Sequence, residues 1–113
     1  MRNFEDLEVW KKSCRLATTI YKSFAKCHDK GFYGQITRAA ISIPSNIAEG
    51  SERRTDKEFI SFLSIAKGSA AELRTQLYIA QCIGYLSKTD RVNLTNAAKE
   101  ISSMLYGLIQ TLN

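Results

Sequence analysis

Few side chains in this sequence have the types and spacing that catalysis or metal binding requires. His28 is the single histidine, and without partners at metal-ligand spacing we interpret it as a loop residue. The three cysteines, Cys14, Cys27 and Cys82, form no CxxC pair, which favours small buried residues in a reducing compartment. Phosphate-binding glycine loops, HExxH motifs and serine–histidine pairs are absent. We therefore expect no catalytic residue, no metal, no cofactor and no enzymatic activity.

Two acidic residues are the one arrangement that could be read as a catalytic pair. Glu49 and Glu72 could approach each other if the helices that carry them pack side by side. Such acids more often pair with an arginine or cap backbone groups, and Arg38, Arg53 and Arg74 are available. We therefore assign no catalysis to this pair.

The basic residues are the better candidates for function. The chain of 113 residues has a formal net charge of +5 and a pI near 9.2, an excess that permits contact with nucleic acid. About five phosphate contacts per subunit would support salt-sensitive binding without sequence reading. The residues that we expect to make these contacts are Lys11, Lys12, Arg15, Lys22, Lys26, Arg53 and Arg54.

The first helix is predicted to position most of these cations. It should run from about Phe4 to Lys26, with Asn3 as its N-cap. At about 100° per residue, its apolar stripe comprises Leu7, Trp10, Cys14, Ala17, Tyr21 and Phe24. The opposite side carries Lys11, Arg15, Lys22 and Lys26. No acidic residue interrupts this cationic stripe after Glu8, although a charged stripe is also the usual pattern of a solvated face.

Three further helices complete the predicted fold. The second should span Phe32–Glu49 after a polar turn, and the third Asp56–Ile83 behind a Thr55 cap. Gly84 ends the third helix, and Ser87 begins a fourth that continues to the C-terminus. Because the β-branched residues do not alternate over a useful length, no strand is predicted. Short connections between helices predict an all-α, antiparallel, up-down-up-down four-helix bundle.

Length and composition predict one domain over residues 1–113. Hydrophobic residues make up 44% of the chain and charged residues 24%, a composition typical of folded proteins rather than disordered ones. No apolar run approaches the roughly 18 residues that a membrane span needs, and no leader pattern opens the sequence. We therefore expect a cytoplasmic protein.

The third helix carries a second, weaker stripe that indicates self-association. This stripe lies away from its core face and contains Ile65, Gly68, Glu72, Gln76 and Ile79. A monomer has little use for apolar and small residues there, so the pattern favours a second packing surface.

The stretch Ser42–Gly50 contains the only proline, Pro44, inside a helical pattern. Proline removes a backbone donor and crowds the carbonyl four residues earlier, and Ser42, Ser45 and Asn46 can serve the freed groups. Gly50 suits the left-handed residue after a helix end. One interpretation is a kinked and capped helix terminus, and the other is a polar notch where helices meet.

Several of these segments together resemble a known family over residues 4 to 112. They are Phe4–Leu7 with Trp10, Ser42–Gly50, Ala66–Ser69, and Glu72-Leu73 with Gln76-Leu77. The chain is similar to the four-helix-bundle family of ribosomal-RNA intervening-sequence proteins. Members of that family are encoded within insertions in bacterial large-subunit ribosomal RNA genes or stand alone, and the family is similar in fold to the accessory variability protein of diversity-generating retroelements.

The resemblance implies a bundle that assembles into a ring, typically a homopentamer. In the retroelement relative, a basic outer surface is implicated in binding nucleic acid and the reverse transcriptase. Its motif positions match Ser42, Pro44, Asn46, Glu49, Gly50, Gly68, Ser69 and Glu72, whose character suggests structural or interface work. The chain departs from the family at Phe24–Lys26, where a proline often ends the first helix. It also departs at Thr37, where a base is common. The first departure predicts a longer first helix, and the second weakens a basic surface on the second helix.

The sequence supports three hypotheses about function. The first is a non-enzymatic, ring-forming bundle that binds RNA or DNA through exposed lysines and arginines. The second is a protein-interaction scaffold whose charge serves solubility. A third, membrane binding through the cationic side of the first helix, is disfavoured because the bundle core accounts for the apolar face of that helix.

Overall fold

The computed structural model describes residues 3–113, so residues 1 and 2 of the predicted domain lie outside the description. A 3-10 turn at Phe4–Asp6 precedes four helices, α1 (Glu8–Ser23), α2 (Lys30–Ser51), α3 (Asp56–Cys82) and α4 (Lys88–Leu112). The prediction of four helices without a strand is confirmed for residues 3–113. Within the same range, no helix combines the length and the apolar character that a membrane crossing requires.

Helix α1 is shorter than predicted at both ends. Leu7 is extended (φ −76°, ψ 123°) and separates the helix from the 3-10 turn, where Asn3 accepts a hydrogen bond from the N–H of Glu5. The helix ends at Ser23, and Phe24 leaves helical geometry (φ −108°, ψ 9°) while its side chain enters the core. The predicted extension to Lys26 is therefore wrong, because residues 24–26 form a turn.

Helix α2 is longer than predicted and passes through Pro44 without a break. It begins at Lys30, because the carboxylate of Asp29 accepts from the N–H of Phe32 and caps the helix there. Gly50 lies inside the helix, so its predicted left-handed conformation is wrong. Among residues 3–113, positive φ occurs at Gly84 (83°), which ends α3 as predicted.

The helices form a closed arrangement in which α1 packs on α2, α2 on α3, α3 on α4, and α4 on α1. The core between them is aliphatic, with Ile20, Ile43, Leu77 and Ile101 at most 1% exposed. Each such side chain contributes roughly 1.5–3 kcal/mol on burial. Thr55 and Ser87 cap α3 and α4 as predicted, each accepting from the backbone N–H three residues later.

One end of the molecule is closed where two connections meet. The hydroxyl of Tyr85, after α3, donates to the carboxylate of Asp29, before α2, at 2.9 Å. The ring of Tyr85 also contacts Phe32 and His28, with centroids 5.4 and 5.5 Å apart. His28 is exposed in the connection after α1, so its prediction as a loop residue is confirmed.

Candidate functional site

The outward side of α1 carries the largest set of predicted phosphate contacts. Lys11, Arg15 and Lys22 are exposed on this helix, and we call them the α1 cationic face. None of the three forms an ion pair with a residue in the described part of the chain. The neighbouring Lys12 differs, because its Nζ lies 2.9 Å from Oε1 of Glu100 on α4. Lys12 is therefore locally neutralised, and the α1 cationic face holds the unpaired charge.

The remaining predicted cations lie elsewhere on the molecule. Lys26 is exposed in the connection after α1, and Arg54 is exposed in the connection between α2 and α3. Arg53 pairs with Glu49 at 3.0 Å, and its guanidinium stacks on Phe62, 4.7 Å from the ring centroid. The predicted seven residues therefore do not form one cluster, and two of them, Lys12 and Arg53, have acidic partners.

The polar residues of Ser42–Gly50 join α2 to α3. The hydroxyls of Ser42 and Ser69 are 2.9 Å apart, and the amide of Asn46 donates to both the carbonyl and the hydroxyl of Ser42 at 2.8 and 2.9 Å. Pro44 leaves the carbonyl of Ala40 without its helical donor. The amide of Asn46 was expected to bond such a freed group, but it bonds Ser42 instead. The interpretation as a polar notch where helices meet is therefore the better one.

Gly50 marks the closest approach of α2 and α3. A Cβ at this position would lie 2.6 Å from Cβ of Phe62 and 3.0 Å from Cδ1 of Phe59. Separations this short leave no room for a side chain, so the glycine is required by packing rather than by backbone conformation. The stretch Ser42–Gly50 thus joins α2 to α3 in two ways: by close packing at Gly50 and by a hydrogen bond at Ser42.

A polar cleft opens between the same two helices beyond Ser42. We call it the glutamine cleft; it holds about 360 Å³ and is lined by Gln35, Arg38, Ala39, Ser42, Glu72 and Gln76. Gln76 is only 9% exposed, and its Oε1 has no hydrogen-bond partner. Glu72 and Arg38, both exposed, form no ion pair within residues 3–113. The cleft therefore presents a carboxylate and a guanidinium, while Oε1 of Gln76 is buried beside it.

The hypothetical pairing of Glu49 with Glu72 is not found. Glu49 binds Arg53, which is the arginine pairing that the sequence favoured, whereas Glu72 lines the glutamine cleft. Ile65 and Ile79 of α3, and Ile83 just after it, are 43–52% exposed, and nothing lies within 4 Å of a Cβ built on Gly68. The second stripe of α3 is thus exposed as predicted, except for Gln76, which is buried.

A second cleft lies on the other side of α2, against α1. We call it the lysine cleft, and its lining is mostly apolar: Cys14, Ala17, Thr18, Tyr21, Lys22, Ile41 and Pro44. Ile41 is 46% exposed, and its outward position was not predicted from the sequence. The signal was available, because Ile36, Ala40, Ile43 and Ile47 follow helical spacing on the core side and Ile41 does not.

The cysteines differ in exposure. Cys14 and Cys27 are half-buried, and burial raises the pKa of the Cys14 thiol, an effect that the charge of Arg15 partly opposes. Cys82 is exposed at the last position of α3, so its prediction as a buried residue is wrong. All three are free thiols.

Comparison with known proteins places this geometry in context. The family model described as 23S rRNA-intervening sequence protein matches residues 5–107. A solved structure of a protein of unknown function from the S23 ribosomal protein family of Bacteroides thetaiotaomicron is similar, with a TM-score of 0.81 and 27% sequence identity. The similarity covers 89% of this chain and 97% of that one. No curated protein matches the chain significantly.

Proposed function

The chain belongs to the family of 23S rRNA-intervening sequence proteins, and from this membership we propose that it is a non-enzymatic bundle that binds RNA or DNA without sequence preference. The observation that carries the proposal is the α1 cationic face. Its three side chains are exposed, share one sign, and have no acidic partner among residues 3–113. Such a surface can neutralise phosphates and release their counterions.

The proposed active form is a homo-oligomeric ring, with a pentamer as the expected stoichiometry, of antiparallel up-down-up-down bundles. The short connections favour antiparallel neighbours. Repetition of the α1 cationic face around a ring would multiply weak phosphate contacts through avidity. The proposed setting is the cytoplasm, which suits a protein with three free thiols.

An anisotropy titration tests the nucleic-acid proposal. Structured RNA, single-stranded RNA and duplex DNA are titrated at several salt concentrations, with the mass of the protein measured in parallel by light scattering. We expect binding that weakens steeply with salt. The variant Lys11→Gln/Arg15→Gln should lower the slope of log K against log salt by about 1.4–1.8, the contribution expected for two lost phosphate contacts.

The matched control is Lys67→Gln/Lys99→Gln, which removes the same number of positive charges from exposed positions on α3 and α4. This control should keep most of the salt slope if α1 makes the contacts. If the salt slope falls equally in the two variants, net charge alone explains the loss and α1 has no special role. Absence of binding at low salt, from a well-formed oligomer, would contradict the proposal.

A second candidate function is a protein-interaction scaffold without nucleic-acid binding. Ile65 and Ile79 of α3 and Ile83 just after it favour it, because exposed apolar side chains on one face indicate a surface for contact with another protein. The titration separates the two candidates: a scaffold would assemble normally and bind none of the three nucleic acids.

A further inference from the structure

A groove lies between α1 and α4, beside the α1 cationic face. We call it the α1–α4 groove; it holds about 340 Å³. Its α1 wall is formed by Lys12, Arg15, Leu16 and Thr19, which lie three or four residues apart and therefore share one face of the helix. The groove is thus about 10 Å long, the rise of a helix over seven residues. These dimensions are at the small end of ligand sites in proteins and suit a single compact group.

The floor of the α1–α4 groove is apolar. Leu16, Leu94 and Ile101 line it and are buried, so they lie at its base. Ala97 lies between Leu94 and Ile101 on α4 and contributes only a methyl group, which leaves the space above the floor open. Such a floor favours a flat apolar group over a hydrated ion, because an ion would lose its water there.

The two ends of the groove are polar. At one end Nζ of Lys12 lies 2.9 Å from Oε1 of Glu100, and this ion pair carries no net charge. Thr19 and Asn93 lie seven residues away on the same two helices and line the other end. The hydroxyl of Thr19 donates to the carbonyl of Arg15 at 3.0 Å, which leaves the hydroxyl oxygen able to accept a hydrogen bond.

Asn93 adds an unused amide at this end of the groove. Its side chain is exposed and forms no hydrogen bond in the described part of the chain. An amide offers two N–H donors and one carbonyl acceptor, so it can bond the edge of a group that carries either kind of atom. A nucleobase has this combination of flat faces and an edge of donors and acceptors.

The α1 cationic face supplies phosphate contacts next to the groove. Arg15 belongs to both surfaces, and Lys11 lies about one helical turn before it. Neither side chain has an acidic partner among residues 3–113. Phosphates bound by these two cations would place the attached sugar and base beside the groove. The neutral pair of Lys12 and Glu100 does not attract a phosphate into it, so the apolar space remains for the base.

We propose that the α1–α4 groove holds one unpaired base of a bound nucleic acid, while Lys11 and Arg15 bind the phosphates that flank this base. The inference rests on the proposed nucleic-acid binding and names its substrate class, because an unpaired base gives single strands and loops a contact that a duplex lacks. In a duplex the bases are stacked and paired, so a base enters the groove only after it is flipped out, which costs free energy. Since the amide of Asn93 serves as donor or acceptor, different bases fit.

Three ligands of equal length test the proposal by fluorescence anisotropy. They are single-stranded DNA, the same sequence as a duplex, and an abasic strand that keeps the sugar–phosphate chain without bases. The wild-type protein should bind the complete single strand about tenfold more tightly than the abasic strand, because the abasic strand lacks an apolar contact and its edge hydrogen bonds. The slope of log K against log salt should be the same for these two strands, since they carry the same phosphates.

Two variants of α4 test the groove from the side of the protein. Ala97→Phe fills the space above the floor with a ring and should lower the affinity for the complete single strand about tenfold. Asn93→Ala, at an exposed position, should lower it about threefold by removing the hydrogen bonds to the edge of the base. Both variants should bind the duplex and the abasic strand as the wild type does, with an unchanged salt slope. Helical circular dichroism confirms that each variant is folded.

The matched controls make the same changes outside the groove. Ser103→Phe and Asn96→Ala lie at exposed positions of the same helix that do not line it. Both controls should leave the affinities for all three ligands unchanged.

The outcomes separate failure of nucleic-acid binding from failure of the groove. If the wild type binds none of the ligands at low salt, both proposals are overturned. If it binds the complete and abasic strands equally, with a steep salt slope, the groove alone is overturned. The same conclusion follows if Ala97→Phe and Asn93→Ala keep the wild-type advantage for the complete strand, or if the controls lose it as well. Loss of this advantage in the two groove variants alone, at an unchanged salt slope, supports the proposal.

Discussion

The contact between α2 and α3 is complete near Gly50 and incomplete near Gln76. At Gly50 the backbone meets Phe62 and Phe59 so closely that a Cβ has no space. Further along the same helices, Oε1 of Gln76 is buried without a hydrogen-bond partner, next to a cleft of about 360 Å³. The difference shows that close packing and unsatisfied polar burial occur along the same pair of helices.

Replacement of Gly50 should have the largest effect on stability. Gly50→Ala forces Cβ against Phe62, and overpacking should destabilise the chain by about 2 kcal/mol despite the higher helix propensity of alanine. Gly107→Ala in α4 is the control, because nothing lies within 4 Å of the point that a Cβ would occupy there and only propensity changes. Urea unfolding should show Gly107→Ala more stable by up to about 1 kcal/mol. Equal effects of the two substitutions would show that α2 and α3 are not packed more tightly at Gly50 than the open surface at Gly107.

Loss of Asn46 should have an intermediate effect. Asn46→Ala removes the donor to the carbonyl and hydroxyl of Ser42, and we expect a loss of about 1 kcal/mol in the free energy of unfolding. Ser45→Ala, an exposed neighbour, should change stability by less than about 0.5 kcal/mol. If both variants unfold at the wild-type urea midpoint, the hydrogen bonds of Asn46 to Ser42 contribute nothing to the free energy of unfolding.

Replacement of Gln76 should change stability in the opposite direction. Gln76→Met exchanges an unpartnered amide for an apolar side chain of similar length, so the dilute chain should be as stable as the wild type or more stable by about 1 kcal/mol. Urea unfolding in dilute solution measures this change in stability. A marked loss of stability would contradict the prediction and show that the amide of Gln76 stabilises the folded chain.

The hydrogen bond between Asp29 and Tyr85 should make stability depend on pH, and this should be the smallest of the effects. Hydrogen bonds from the N–H of Phe32 and the hydroxyl of Tyr85 hold the pKa of Asp29 below its ordinary value of 3.8, and the bond to Asp29 raises the pKa of Tyr85. The contribution of Asp29 is therefore complete above about pH 4 and is lost as pH falls through its lowered pKa. That of Tyr85 is complete below about pH 10 and is lost as pH rises through its raised pKa.

Tyr85→Phe checks this pH dependence. In the variant the acid-side loss of stability should become shallower, and the carboxyl carbon of Asp29, followed by NMR, should titrate at a higher pH than in the wild type. An unchanged titration of Asp29 would show that the hydroxyl of Tyr85 does not bind it in solution.

The sequence predicted the elements that depend on local periodicity and capping. Thr55 and Ser87 cap their helices as expected, and α3 ends within one residue of its predicted limit. The errors arise where tertiary contacts override local signals. Gly50 has the residue type of a helix C-terminus, but the close approach of Phe62 explains it. The turn that ends α1 at Ser23 has no glycine or proline to announce it.

The candidate surfaces were predictable only in part. Periodicity placed Lys11, Arg15 and Lys22 on one outward face, and it placed Ile65 and Ile79 away from the core. It could not reveal that Lys12 meets Glu100, because that pairing joins residues 88 positions apart. Nor could it show that Gln76 is buried without a donor, since this depends on how deeply α3 sits against α2.

The same separation between Lys12 and Glu100 has a consequence for the order of folding. Three of the four helix contacts join neighbours in the chain, whereas α1 and α4 meet only after the whole chain is enclosed. Loop-closure entropy makes such a distant contact costly to form early. We therefore expect the contact between α1 and α4 to form after the folding transition state. Ile101→Val, on the α4 side of that contact, should then accelerate unfolding and leave the folding rate nearly unchanged.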